Sequence, residues 1–302
     1  MTTGRRGKSR GPARETPLPA AAAQVLAAAA LFLAAAGAAC AQSADDFEVK
    51  QLPDNTLEIT GYKGTAADVM IPSTLYGLKV TAIGDYACAV ENEDGLLRRG
   101  AALTGVVIPG TVTRIGRRAF WGGYDGGGGL AGVSIGGGCK TIEGEAFAGN
   151  PRLTGVVIPD GVAEIGWRAF AGCGLTTLVL GKGVHTIGDE AFAQQRGWAS
   201  FIPEEERTNR IGELVLPPAV LSVGSRAFEH NAITSLVISS AATKIKWGAF
   251  GGNPLARITL PSALEEDTLT SAGFEEGCIN FWKNQAMAGG TYVKRGPIWT
   301  RE

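Results

Sequence analysis

Few residues in this chain could carry chemistry, and they are scattered. His185 and His230 are the only histidines among 302 residues. His185 stands within GKGVHTIGDEAF and His230 follows Glu229. Neither is spaced from a partner in the HExxH manner that lets a helix present two ligands to one metal. No Ser/His/Asp or Cys/His set stands apart from the general sequence pattern, so nothing points to nucleophilic catalysis. Gly136-Gly137-Gly138-Cys139-Lys140-Thr141 has the outline of a phosphate loop, but Cys139 takes the place of the glycine required before the lysine. The expectation is a non-enzymatic protein without metal or cofactor. Catalysis would return only if two carboxylates faced each other across a groove, as in glycan processing.

Recognition chemistry is better represented. Residues 194–210, QQRGWASFIPEEERTNR, hold Trp198 and Phe201 beside Glu204-Glu205-Glu206, and residues 121–129 hold Trp121 and Tyr124 among glycines. Aromatic side chains on adaptable loops are common anchors of binding surfaces. Alternatively, they fold down onto the chain beneath them. A second candidate is the apolar series Val157, Val179, Val215 and Val237, accompanied by Val107, Ser134 and Thr259. If exposed in one row it makes a partner surface; otherwise it reflects only the preference of strands for β-branched residues.

The elements that must position these residues come from a repeat. Its pattern is Leu-x-x-Val-x-Ile-Pro-x-x-Val-x-x-Ile-Gly-x-x-Ala-Phe-x-x-Asn, clearest in LTGVVIPDGVAEIGWRAFAGC at residues 153–173. Copies end on Phe120, Phe147, Phe170, Phe192, Phe228, Phe250 and Phe274, with a worn first copy ending on Cys88. Val156 and Ile158 alternate with Val157, the mark of a strand with one buried face. Pro159 ends the strand because it cannot donate to a ladder, Val162 and Ile165 return inward, and Gly166 is expected to permit the turn before Ala169 and Phe170. One such coil cannot bury enough apolar surface to offset the entropy of ordering it, whereas stacked coils share their faces. Asn150, Cys173, Asn231 and Asn253, each three residues after the phenylalanine, are suited to bond turn backbone from coil to coil. The fold expected is a mainly-β solenoid, a right-handed coil of about eight repeats of 22–24 residues at residues 67–277, with β-hairpin caps at 42–66 and 278–302.

The LTGVVIP…IG.RAF…N pattern resembles the BspA-like leucine-rich repeat of bacterial surface proteins, over roughly residues 67–277. The flanks DFEVKQLPDNTLEITGYKG and GGTYVKRGPIWT resemble the caps of short exported members. The resemblance implies adhesion to cells or extracellular-matrix proteins, and so an extracellular or envelope protein or glycan as partner. It names no ligand, since fold does not fix function.

Composition agrees. The net charge of −1 gives no basic excess for nucleic acid, and 45% apolar residues suffice for a core. The 44 glycines imply frequent turns. Residues 1–41 read as an export signal: Arg5, Arg6, Lys8, Arg10 and Arg14 precede an alanine-rich apolar stretch at 20–39. Gly37-Ala38-Ala39-Cys40 fits a relaxed lipobox, making Cys40 the candidate lipidation site and a lipid anchor the only membrane contact. Ala39-Cys40-Ala41 equally fits ordinary cleavage before Gln42, which leaves cell surface, periplasm and secretion open. A lipid-anchored envelope spacer without a ligand is the alternative to a binder.

Overall fold

A computed structural model describes residues 42–91, 97–99, 103–123, 129–194, 209–241, 243–262, 264, 272–274, 276–285 and 288–302. The chain winds as a β-solenoid of about seven turns, each contributing two short parallel strands and a tight turn carrying the Ala-Phe pair.

The first strand of each turn buries alternate residues. Leu214 and Leu216 point inward from Glu213–Leu216, as Leu236 and Ile238 do from Ser235–Ile238. The second strand has two residues, the latter always buried: Arg114–Ile115, Thr141–Ile142, Glu164–Ile165, Thr186–Ile187, Ser222–Val223 and Lys244–Ile245. These pair in parallel and in register. Together with Leu78–Ile83 and the antiparallel hairpin of Phe47–Gln51 and Leu57–Tyr62, they lie in one ten-stranded sheet. The first-strand wall is instead divided. Asp68–Met70, Gly105–Ile108 and Gly132–Ile135 form one sheet, and Gly155–Val157 pairs with Thr177–Val179. Glu213–Leu216, Ser235–Ile238 and Arg257–Leu260 form the third, which continues into the C-terminal hairpin of Gly290–Arg295 and Ile298–Arg301.

Phenylalanines make the spine. Phe120, Phe147, Phe170, Phe192, Phe228, Phe250 and Phe274 stack at centroid distances of 5.1 to 5.7 Å with rings 2° to 25° apart. Asparagines run alongside. Asn150 donates from Nδ2 to the carbonyls of Phe120 (2.9 Å) and Phe147 (2.7 Å) and accepts from Leu130 N–H (2.8 Å). Asn253 repeats this with Phe228, Phe250 and Ile233. Cys173, in the same slot, donates to the Phe147 carbonyl, 3.2 Å from its Sγ. In the following coil the slot belongs to Asn209, beyond the 194–208 insertion, which bonds the carbonyls of Phe170 and Phe192 and Leu175 N–H.

Gly166 has a different task from the one expected. It lacks a positive φ; the left-handed residue of its turn is Arg168, at φ 52°. That slot is left-handed throughout: Tyr86, Arg118, Glu145, Arg168, Glu190 and Arg226 lie at φ 52° to 59°, and Gly248 at 63°. Gly166 instead permits close stacking, because a Cβ there would sit 2.7 Å from Gly144 N and 2.8 Å from the Glu143 carbonyl carbon. The charged left-handed residues pair between coils, Arg118 with Glu145 and Arg168 with Glu190, both at 2.6 Å.

The 276–290 stretch, which the repeat pattern leaves unassigned, contains the helix Glu276–Asn284. It buries Cys278, Ile279 and Trp282 near the last coil and contacts the strand Ile298–Arg301. The hairpin beyond it pairs antiparallel to Arg257–Leu260, covering an edge that would otherwise be open to other chains.

The four described cysteines, Cys88, Cys139, Cys173 and Cys278, are buried and none is in a disulfide. Burial pushes the thiols of Cys88 and Cys173 up to about 12 and that of Cys139 up to about 11. The thiolate is the reactive form. Iodoacetamide at pH 8 is therefore expected to leave these three unmodified in the folded protein and to alkylate all three in urea, as read by mass spectrometry. Labelling of any of them without denaturant would contradict the packing.

Candidate recognition surfaces

The apolar row of the first strand exists, but in pieces. Val157 pairs with Val179, and Val215 with Val237 and then Thr259, in separate sheets. Val215 is 50% exposed; Val157, Val179 and Val237 are half-buried and Val107 is buried, so the row is not one continuous apolar stripe.

Trp121 does not reach solvent. It is 1% exposed, with the Arg118 guanidinium 5.6 Å from its ring. The slot after the phenylalanine still belongs to the coil wall: Ala148, Ala171 and Ala193 are buried there in later coils. The indole lines a small cavity with Cys88, Leu103, Phe120 and Leu130, beside the place where the first coil has a thiol instead of a phenyl ring. Tyr124, Trp198, Phe201 and Cys40 lie outside the described residues.

A surface that the repeat pattern passed over lies at the corner after the second strand. There the residues preceding the left-handed position stack in one column: Asp85, Arg117, Gly144, Trp167, Asp189, Ser225 and Trp247. Their carbonyls accept from the preceding coil, Trp167 from Glu145 N–H (2.8 Å), Asp189 from Arg168 (3.0 Å), Ser225 from Glu190 (2.8 Å) and Trp247 from Arg226 (3.0 Å). Trp167 is 41% exposed and Trp247 61%. The Arg168 guanidinium carbon lies 4.7 Å from the Trp167 ring and that of Arg226 4.6 Å from the Trp247 ring, which orients both indoles by cation–π contact. Between them, Asp189 Oδ1 accepts from Ser225 N–H at 2.8 Å and lies 3.4 Å from Lys246 Nζ. Next to this column runs the outward row Glu164, Thr186, Ser222 and Lys244, also in register. The sequence did carry a signal: in the aligned copies, tryptophan occurs twice in a column otherwise held by Asp, Arg, Gly and Ser.

Elsewhere, Arg114 gathers three carboxylates. It donates to both oxygens of Glu143 (2.7 and 2.9 Å), to Glu58 (3.0 Å) and to Asp85 (2.6 Å). The Glu143 hydrogen bonds raise its pKa further, and Glu58 ties the N-terminal hairpin to the coils. His185 is exposed. Among the described residues, no group of three or more His, Cys, Asp or Glu could hold a metal ion, and no helix is long and apolar enough to cross a membrane.

No curated protein matches the chain by sequence. Among solved structures, a leucine-rich repeat protein of T. pallidum is 20% identical, with 78% of this chain and 97% of that one covered and a TM-score of 0.48. One from Bacteroides capillosus is 24% identical, covering 46% of this chain and 96% of that one, with a TM-score of 0.37. The pneumococcal vaccine antigen PcpA is 18% identical, covering 72% of this chain and 69% of that one, with a TM-score of 0.38. The family model of the BspA type leucine rich repeat region matches in six copies at residues 123–213 and 206–281. With that match extending over more than half of its length, the chain belongs to the BspA-type leucine-rich-repeat family.

Proposed function

We propose that this protein is a non-enzymatic, exported, adhesin-like binder that holds an extracellular or envelope protein or glycan at the bacterial surface. The observation that carries the reading is the pair Trp167 and Trp247, large aromatic side chains held in water on one column of a rigid wall. The fold does not require them there, because the same column accepts Asp85, Arg117, Gly144 and Ser225. Leaving indole surface in water has a hydrophobic cost that a partner would recover, and tryptophan is among the commonest residues at the energetic centre of interfaces. Val215 and Leu221, each half-exposed, lie outside this column. The basic and apolar segments of residues 1–41 supply the route out of the cytoplasm, and Cys40 a lipid tether.

The labelled full chain is expected to bind intact bacterial cells, cultured epithelial cells or matrix-coated surfaces in a saturable way. Binding that rises linearly with concentration on all three would overturn the proposal and leave the envelope spacer in its place.

A further inference from the structure

We infer that the Trp167–Trp247 column is a platform for an extended, neutral polysaccharide, an assignment of ligand class that rests on the binding role above. Trp167 and Trp247 are separated by three ladder steps, through Asp189 and Ser225. At the usual strand spacing this places the indoles about 14 Å apart along the column.

The surroundings decide which ligand suits them. A protein partner would be expected to meet an apolar patch that can be fully desolvated at its centre. Here the two indoles are islands separated by Asp189 and Ser225, and the neighbouring row is Glu164, Thr186, Ser222 and Lys244. A pyranose chain has the matching alternation: its C–H faces stack on an aromatic ring while its equatorial hydroxyls donate to carboxylates and accept from ammonium and hydroxyl groups. The coil rise of about 4.8 Å also offers one polar side chain for roughly each sugar ring of an extended chain. Neutrality follows from the pairing of charges, since Arg168 is engaged with Glu190 and Lys246 with Asp189, which leaves no field of one sign for a polyanion. The guanidinium contacts hold both indoles in place before a ligand arrives, which reduces the ordering cost of binding.

The test is electrophoresis of the full chain through native gels containing hydroxyethyl cellulose, laminarin, xylan or galactomannan, with heparin as the charged comparison. At least one neutral polymer should retard the protein, and heparin should not retard it more. Trp167→Ala and Trp247→Ala should each weaken that retardation at least tenfold, and Trp247→Phe should keep most of it, with unchanged thermal melting in all three. No retardation by any of the four neutral polymers, or retardation that the alanine variants leave intact, would overturn the assignment. If cell binding is saturable and depends on the tryptophans while all four polymers fail, the ligand class is wrong and the binding role stands; if binding to cells and matrix also fails to saturate, both fall.

Discussion

Replacing Phe170 with alanine is expected to cost about 3–5 kcal/mol, the range for deleting a fully packed aromatic side chain. Phe170 is buried between Phe147, at 5.1 Å and 10°, and Phe192, at 5.3 Å and 2°, so its loss opens a gap with packed rings on both sides. Neighbouring backbone cannot easily collapse into that gap. Phe170 N–H is bonded to Ala191 O and Ala169 O accepts from Phe147 N–H, fixing the separation of the coils. Because a solenoid is held by contacts between adjacent turns, the damage should divide the stack near its middle. Circular dichroism should show a melting temperature lowered by roughly 6–20 °C and a broader transition than in the parent. A shift within 2 °C would mean that the rings are not a continuous spine.

Asn209→Ala should destabilise by about 2–5 kcal/mol, since it strands the buried carbonyl of Phe170 and the N–H of Leu175 together, while the Phe192 carbonyl keeps its bond from Asn231 Nδ2. Asn209→Asp should rescue little: it keeps the acceptor for Leu175, but loses both donors and sets a carboxylate against two carbonyl oxygens. Urea denaturation measures both variants. Alanine tolerated within 0.5 kcal/mol would show that water replaces the amide, contrary to a sealed asparagine ladder.

Much of the coil could be read from spacing alone. The alternation of Val156, Val157 and Ile158, the stop at Pro159 and the recurrent Ala-Phe pair correspond to strand, corner and stacked spine because each follows from local geometry and one buried face. Positions set by contacts between coils were harder to read. Asn209 was missed because the 194–208 insertion displaces it from the third place after Phe192, although it still stands two residues before the apolar start of the next coil, as Asn231 and Asn253 do. Gly166 looked like a turn residue when its purpose is close stacking, which only the neighbouring coil reveals.

The candidate sites were less legible for a related reason. An aromatic residue beside glycines looks like a loop anchor, but whether Trp121 points out or in depends on the wall of the coil and the small Cys88 below it. Trp167 lies inside the clearest copy of the repeat, where it occupies a variable position. It becomes conspicuous only when paired with Trp247 across three coils and held by Arg168 and Arg226.

The central claim is that the repeats form a rigid scaffold whose tryptophan column meets the ligand. It is tested most directly by saturation binding of the full chain to its best surface, comparing the parent with the Trp167→Ala/Trp247→Ala double variant and with Val215→Lys. The account predicts an affinity at least tenfold weaker for the double variant at an unchanged melting temperature, and near-parental binding for Val215→Lys. A double variant that binds as the parent does would contradict it.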